Sequence, residues 1–123
     1  MEGVHMKRLL VTLAVFAATA GHTLAQTREE QDNVINHIAE VMAIEKLCPK
    51  LERNTFILSM AATMYGLTAK DIGPGGRYHK KLVGLIQDKQ LALSAHEEDI
   101  VCMTGIMLYG ENGTNVEGLL VGR

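Results

Sequence analysis

The stretch Gly73-Pro74-Gly75-Gly76-Arg77-Tyr78-His79-Lys80-Lys81 carries the densest local chemistry in the sequence. Flexible glycine amides at the start of a helix can converge on an anion, and the helix dipole favours negative charge there. Gly75 and Gly76 would supply the amides. Arg77, Lys80 and Lys81 would add cations at the helix end where cations do least for the helix itself. The ligand of such a site would be a carboxylate, a phosphate or a sulfate. A loop of turn residues leading into a solvated basic face produces the same pattern, so both readings stand at this stage.

Methionines form the second signal. Met60 and Met64 are four residues apart, and Met103 and Met107 repeat the spacing. Thioethers on one helical face can ligate Cu(I) in an oxidising compartment. They also fill irregular cores and make adaptable binding surfaces. Both methionine-bearing runs are apolar throughout, so core packing is the expected role and no metal site is assigned. His37, His79 and His96 are scattered, and none belongs to H-E-x-x-H. No nucleophile elbow, P-loop or dinucleotide fingerprint occurs. Glu97-Glu98-Asp99 resembles a set of paired carboxylates, but acids are expected in the first turn of a helix for dipole reasons. A non-enzyme that carries no cofactor is the expectation.

The elements that must position these residues begin after an export signal. Met6-Lys7-Arg8 is followed by an apolar run from Leu9 to Ala20 and then by Thr23-Leu24-Ala25. A positive start, a short apolar centre and small residues before a cut describe a secretory signal peptide over residues 1–25, cleaved after Ala25. The run is shorter than the roughly 20 apolar residues a membrane span requires. Residues 26–123 then form one helical domain with ten basic and thirteen acidic residues. That balance lacks the concentrated positive field that nucleic acid requires, and with no Trp and few aromatics there is no base-stacking platform. Localisation is expected to be periplasmic or secreted. In an oxidising compartment the two cysteines, Cys48 and Cys102, are most simply bonded to each other.

Along this domain, Thr27 and Glu30 open a first helix as a capping box, and Val34, Ile35, Ile38, Val41 and Met42 recur at helical spacing up to Cys48-Pro49. Asn54 caps a second helix that lacks charge from Thr55 to Tyr65, a pattern expected of a helix buried on all sides. Thr68–Ile72 reads as a short helical turn. A third helix covers 77–90, with Tyr78, Leu82, Leu85 and Ile86 as its inner stripe. After a brief link, Ser94 and Glu97 form a second capping box. The stretch Ser94 to Gly110 is then expected to be the element that organises the chain. It should bury Ile100, Val101, Met103, Ile106 and Met107 and make a close helix contact at Gly105. No alternating strand pattern occurs. The fold class expected is all-α, a compact irregular bundle of about four helices closed by one disulfide. The apolar tail Val116–Val121 must either dock on this bundle or stay out as a sticky segment, which makes Val116, Leu119 and Leu120 the expected partner contacts. Asn112-Gly113-Thr114 matches the glycosylation acceptor pattern.

The run GPGGRY at Gly73–Tyr78, C-x-x-G-x-x-L-Y-G from Cys102 to Gly110 and the closing Gly118-Leu119-Leu120 resemble a group of small exported proteins of alphaproteobacteria over residues 45–123. That resemblance implies export and carries no activity. In architecture alone the chain is similar to periplasmic acid-stress chaperones of the HdeA type, which are also signal-bearing, helical and closed by one disulfide. The function expected is a non-catalytic envelope protein that acts through contacts with a protein partner, chaperone-like under stress. The alternative is a carrier of a small anion or of Cu(I).

Overall fold

The computed structural model describes residues 27–123, so the expected signal peptide, residues 1–25, lies outside the described residues. The chain divides into two units between Glu30 and Gln31. Of the first, residues 27–30 are helical. The second unit is an irregular α-helical bundle with one small ribbon. The first described helix, α1, covers 27–47. It is followed by β1 (Leu51–Arg53), α2 (Thr55–Met64), α3 (Ala69–Ile72), α4 (His79–Ser94), α5 (Glu98–Tyr109) and β2 (Leu120–Gly122).

The helix around which this unit is built is α1, not the 94–110 stretch expected. Val34, Ile35, Ile38, Ala39, Val41, Ala43 and Ile44 are all buried. At 100° per residue these positions start as one stripe and then spread around the helix, so the second half of α1 is enclosed on several sides. Its first half packs with Ala62 of α2, Leu67 and Leu82 of α4. Its second half packs with Val101, Cys102 and Tyr109 of α5 and with Leu51, Leu119 and Leu120 of the ribbon strands and their approach. A single helix therefore forms one wall of both apolar clusters.

The end of α1 is locked twice. Cys48 is bonded to Cys102, closing a sequence separation of 54 residues. Directly afterwards β1 pairs antiparallel with β2, with Leu51 opposite Gly122, Glu52 opposite Val121 and Arg53 opposite Leu120. No strand was expected from the sequence. Three-residue strands are too short to show alternation, and their pairing depends on the chain end returning to the first helix.

α5 approaches this lock through Gly105. A Cβ there would lie 2.8 Å from Ile44 Cγ2, 3.0 Å from Leu51 Cδ1 and 3.2 Å from Leu120 Cδ1. The close contact expected at Gly105 is thus present, against α1 and both strands. The second expected capping box is not. α4 runs on through Ser94, whose hydroxyl donates to the Leu91 carbonyl at 2.9 Å. Glu97, in extended conformation, precedes α5 without a side-chain cap. Leu91, Ala92 and Leu93 contain no helix breaker, so α4 has no local reason to stop before them.

Candidate interaction surface

Several residues that the sequence places in the core face outward, although Val101 is buried as expected. On α2, Phe56 is 71% exposed and Met64 75%, with Met60 exposed beside them. On α5, Met103 is 59% and Met107 62% exposed, together with Ile100 and Ile106. This corrects the expectation that both helices are buried all round. With α1 in the interior, each of these helices has one side on it and the opposite side in solvent. α2 buries Ala62 inward, and α5 buries Val101, Cys102, Gly105 and Tyr109.

The α2 face is formed by Phe56, Ser59, Met60, Thr63 and Met64, which line a shallow surface depression. Helical spacing explains it, since positions 56, 60, 63 and 64 fall within about 100° of arc on one side of the helix. The α5 face is Ile100, Met103, Ile106 and Met107, again one stripe at helical spacing. Thr104 at its edge donates its hydroxyl to the Ile100 carbonyl at 2.8 Å, so the stripe offers no free polar group. Large apolar groups gathered on an outer face, rather than scattered singly, mark surfaces that meet another molecule.

The tail docks. Leu119 is 1% and Leu120 2% exposed, both within the α5 cluster, and Val116 is partly buried against it. Of the three residues expected as partner contacts, Leu119 and Leu120 thus lie in the core, and Val116 packs at its edge. The cause is backbone pairing. Asn54 N–H donates to the Leu119 carbonyl at 2.8 Å and Arg123 N–H to the Lys50 carbonyl at 3.0 Å, which fixes the strand register and turns Leu120 inward.

At the glycine-rich junction the donors act within the chain. Gly75 adopts φ +82°, and the Gly76 N–H donates to the Gly73 carbonyl at 2.9 Å. A Cβ at Gly76 would run into the Lys70 and Asp71 carbonyls, so the loop folds back on α3. Arg77 Nε donates to Asp71 Oδ1 at 3.0 Å, and the guanidinium lies 5.0 Å from the Tyr78 ring centre. Lys81 Nζ is paired with Asp32 Oδ1 at 2.7 Å. Lys80 is exposed. Asp71 also closes the α3 capping box with Thr68. The Thr68 N–H and then the Arg77 guanidinium hold the Asp71 carboxyl below its ordinary value. Two of the three cations therefore already have carboxylate partners, and the junction latches α3 to α4.

A polar cluster invisible in the sequence lies at the foot of α5. Tyr109 is fully buried, and its hydroxyl donates to Glu40 Oε1 at 2.5 Å. With that proton committed, the other neighbours must donate to the phenolic oxygen: His37 through Nδ1–H at 2.9 Å and Asn115 Nδ2 at 3.4 Å. Glu40 is also paired with Lys89 Nζ at 3.5 Å. Burial first, and then the Glu40 carboxylate, push the Tyr109 phenol well above its ordinary value of 10.0. A phenol held this firmly neutral joins α1 to α5 and keeps its proton at ordinary pH. The spacing Tyr109 to Glu40 spans 69 residues, which no local pattern announces.

Among the described residues, no group of three His, Cys, Asp or Glu side chains converges to hold a metal ion, and no helix is long and apolar enough to cross a membrane. No family model matches the chain, and neither a curated protein nor a solved structure resembles it closely enough to count as a match.

Proposed function

We propose that this chain is a non-catalytic protein of the cell envelope that acts through protein contacts, chaperone-like under stress. The observation that carries the reading is the pair of outward apolar faces, Phe56, Met60 and Met64 on α2 and Ile100, Met103, Ile106 and Met107 on α5. Methionine-rich surfaces adapt to differently shaped partners because the side chain is unbranched and polarizable. The envelope location is supported by the leader pattern at residues 1–25, by the likeness to small exported proteins, and by the Cys48–Cys102 bond, which persists in oxidising compartments. The test is capture from envelope extract at neutral and at acid pH. Met60→Glu/Met64→Glu and Met103→Glu/Met107→Glu should abolish capture, whereas Lys80→Ala should not. Equal capture by all variants would reject contact through these faces.

A second reading, carriage of Cu(I) by thioethers, is favoured by the exposure of both methionine pairs. A Cu(I) titration against a competing chelator decides it. Tight stoichiometric copper that is lost in Met60→Leu/Met64→Leu or Met103→Leu/Met107→Leu would replace the protein-contact reading.

A further inference from the structure

The charges of the chain are not evenly spread. Residues 26–89 hold nine basic and eight acidic side chains, close to balance, whereas residues 90–122 hold Glu97, Glu98, Asp99, Glu111 and Glu117 and no Lys or Arg at all. All five carboxylates are exposed, and none makes an ion pair among the described residues.

Their placement follows the apolar stripe on α5. Glu97 and Asp99 stand at its N-terminal end, with Asp99 one turn before Met103 and two before Ile106 on the same side, whereas Glu98 falls on the inward side with Val101 and Cys102. Glu111 follows the C-terminal end directly. Glu117 is held there too, because the segment after the helix folds back onto its last turn. The Thr114 N–H donates to the Met107 carbonyl at 3.0 Å and the Gly118 N–H to the Gly110 carbonyl at 2.8 Å. The stripe Ile100–Met107 is therefore an apolar surface bracketed at both ends by negative charge. The α2 face has no such frame, since Thr55–Tyr65 is uncharged and Arg53 pairs with Glu45 beside it.

We propose that the outward face of α5 is a docking site for a cationic amphipathic helix of a partner protein. The proposal rests on the protein-contact reading above and names the partner class. An amphipathic helix laid along α5 would place its own apolar stripe on Met103, Ile106 and Met107. Its flanking Lys or Arg residues would meet Glu97 and Asp99 at one end and Glu111 and Glu117 at the other. The same frame argues against the two other occupants an apolar face attracts. A second copy packing α5 on α5 would set carboxylate against carboxylate in either direction. An anionic membrane surface attracts basic segments and repels this one.

The test is a titration of the full chain, at low and high salt, with two synthetic helices that share one leucine face. One carries lysine and the other glutamate on the polar side, and the methionine methyl resonances report the site. The lysine helix should bind, shift Met103 and Met107 more than Met60 and Met64, and weaken with salt. Glu97→Gln/Asp99→Asn should lower its affinity several-fold, two exposed charge pairs being lost. Glu111→Gln/Glu117→Gln, outside the helix and harmless to it, should lower it several-fold as well. Equal binding of the glutamate helix at the same methyls would overturn the cationic partner while leaving the protein-contact reading intact. Methyl shifts on dilution in the absence of peptide would assign the face to a second copy and overturn the proposal. So would methyl shifts with anionic vesicles. Binding of neither helix would overturn it outright, and loss of capture in Met60→Glu/Met64→Glu would then leave α2 as the contact.

Discussion

Replacing Tyr109 with Phe removes one oxygen and leaves the ring, which isolates the polar cluster from the packing around it. The lost hydroxyl donates to Glu40 at 2.5 Å and accepts from His37 at 2.9 Å and Asn115 at 3.4 Å. A hydrogen bond to a charged partner contributes about 1.5–3 kcal/mol net. The two accepted bonds add less, the longer one least. Against this, the Glu40 side chain is 26% exposed and keeps Lys89, so its freed oxygen can rehydrate. The expected loss is therefore ~2 kcal/mol. In a domain of this size it lowers the melting temperature by roughly 10 °C. Urea unfolding followed by circular dichroism reads it directly as a shift in midpoint at unchanged slope. Tyr109→Ala, which also empties the ring site, should cost about 3–5 kcal/mol. In a Glu40→Gln background the acceptor stays and its charge goes, so Tyr109→Phe should cost about 1 kcal/mol less there. A Tyr109→Phe change within about 0.5 kcal/mol of the parent would refute the reasoning, because it would put the hydroxyl among surface-like substitutions despite its burial.

Four other outcomes follow from the same geometry. Reducing the Cys48–Cys102 bond, or replacing both with Ala, should cost about 4 kcal/mol by the chain-entropy relation for a 54-residue separation, read as the unfolding midpoint with and without reductant. Gly105→Ala gains about 1 kcal/mol of helix propensity but presses on the stiff Ile44 methyl, at about 1–3 kcal/mol, so calorimetry should show a net loss of about 1 kcal/mol. Combining it with Ile44→Ala should give less than the sum of the two single losses. The raised Tyr109 phenol contributes stability that is full below its unfolded value of 10.0 and is lost as pH rises towards the folded value, so alkaline unfolding should begin above about pH 10 and Tyr109→Phe should flatten it. The lowered Asp71 carboxyl works the opposite way. Its contribution is present above 3.8 and lost as pH falls through the folded value, so the Thr68 amide resonance should move in that acid range and Asp71→Asn should remove the movement.

What was legible in the sequence was local. Asn54 caps α2 by accepting from the Ile57 N–H at 3.3 Å, Thr68 opens α3, and Gly66 ends the α2 turn at φ +76°. Each acts within four residues of itself, Asn54 and Thr68 through a side chain and Gly66 through its backbone. The disulfide was legible for another reason: two cysteines admit one pairing, and α1 ends where α5 passes. The polar cluster was not legible, because Tyr109, Glu40 and His37 are each ordinary helix residues until two helices are laid side by side. The misread cap at Ser94 shows the limit of motif spacing. Ser94 and Glu97 stand at capping-box distance, yet the helix before them has no breaker, and Ser94 is drawn into its last turn instead.

The central misreading, of which helix lies inside, has a physical origin that bears on function. In the sequence, charge reads as exposure and its absence as burial. α1 carries Glu40 and Glu45 in its buried half and is nevertheless the interior helix, because both acids find partners at its margin. Glu45 accepts the Arg53 N–H at 2.8 Å and faces its guanidinium, while Glu40 takes the Tyr109 hydroxyl and Lys89. A paired carboxylate at the edge of a core costs far less than an unpaired one, so two charges do not keep a helix out. α2, which lacks charge, has no comparable claim on the interior. A domain this small buries a limited share of its surface, and α1 takes much of it. The apolar outer sides of α2 and α5 are then a surplus that folding leaves unburied. Folding alone gives no reason to keep Phe56, Met64, Met103 and Met107 on the outside, since polar residues there would cost the core nothing and lower the risk of aggregation. A contact made after folding does give such a reason, which neither packing nor capping supplies.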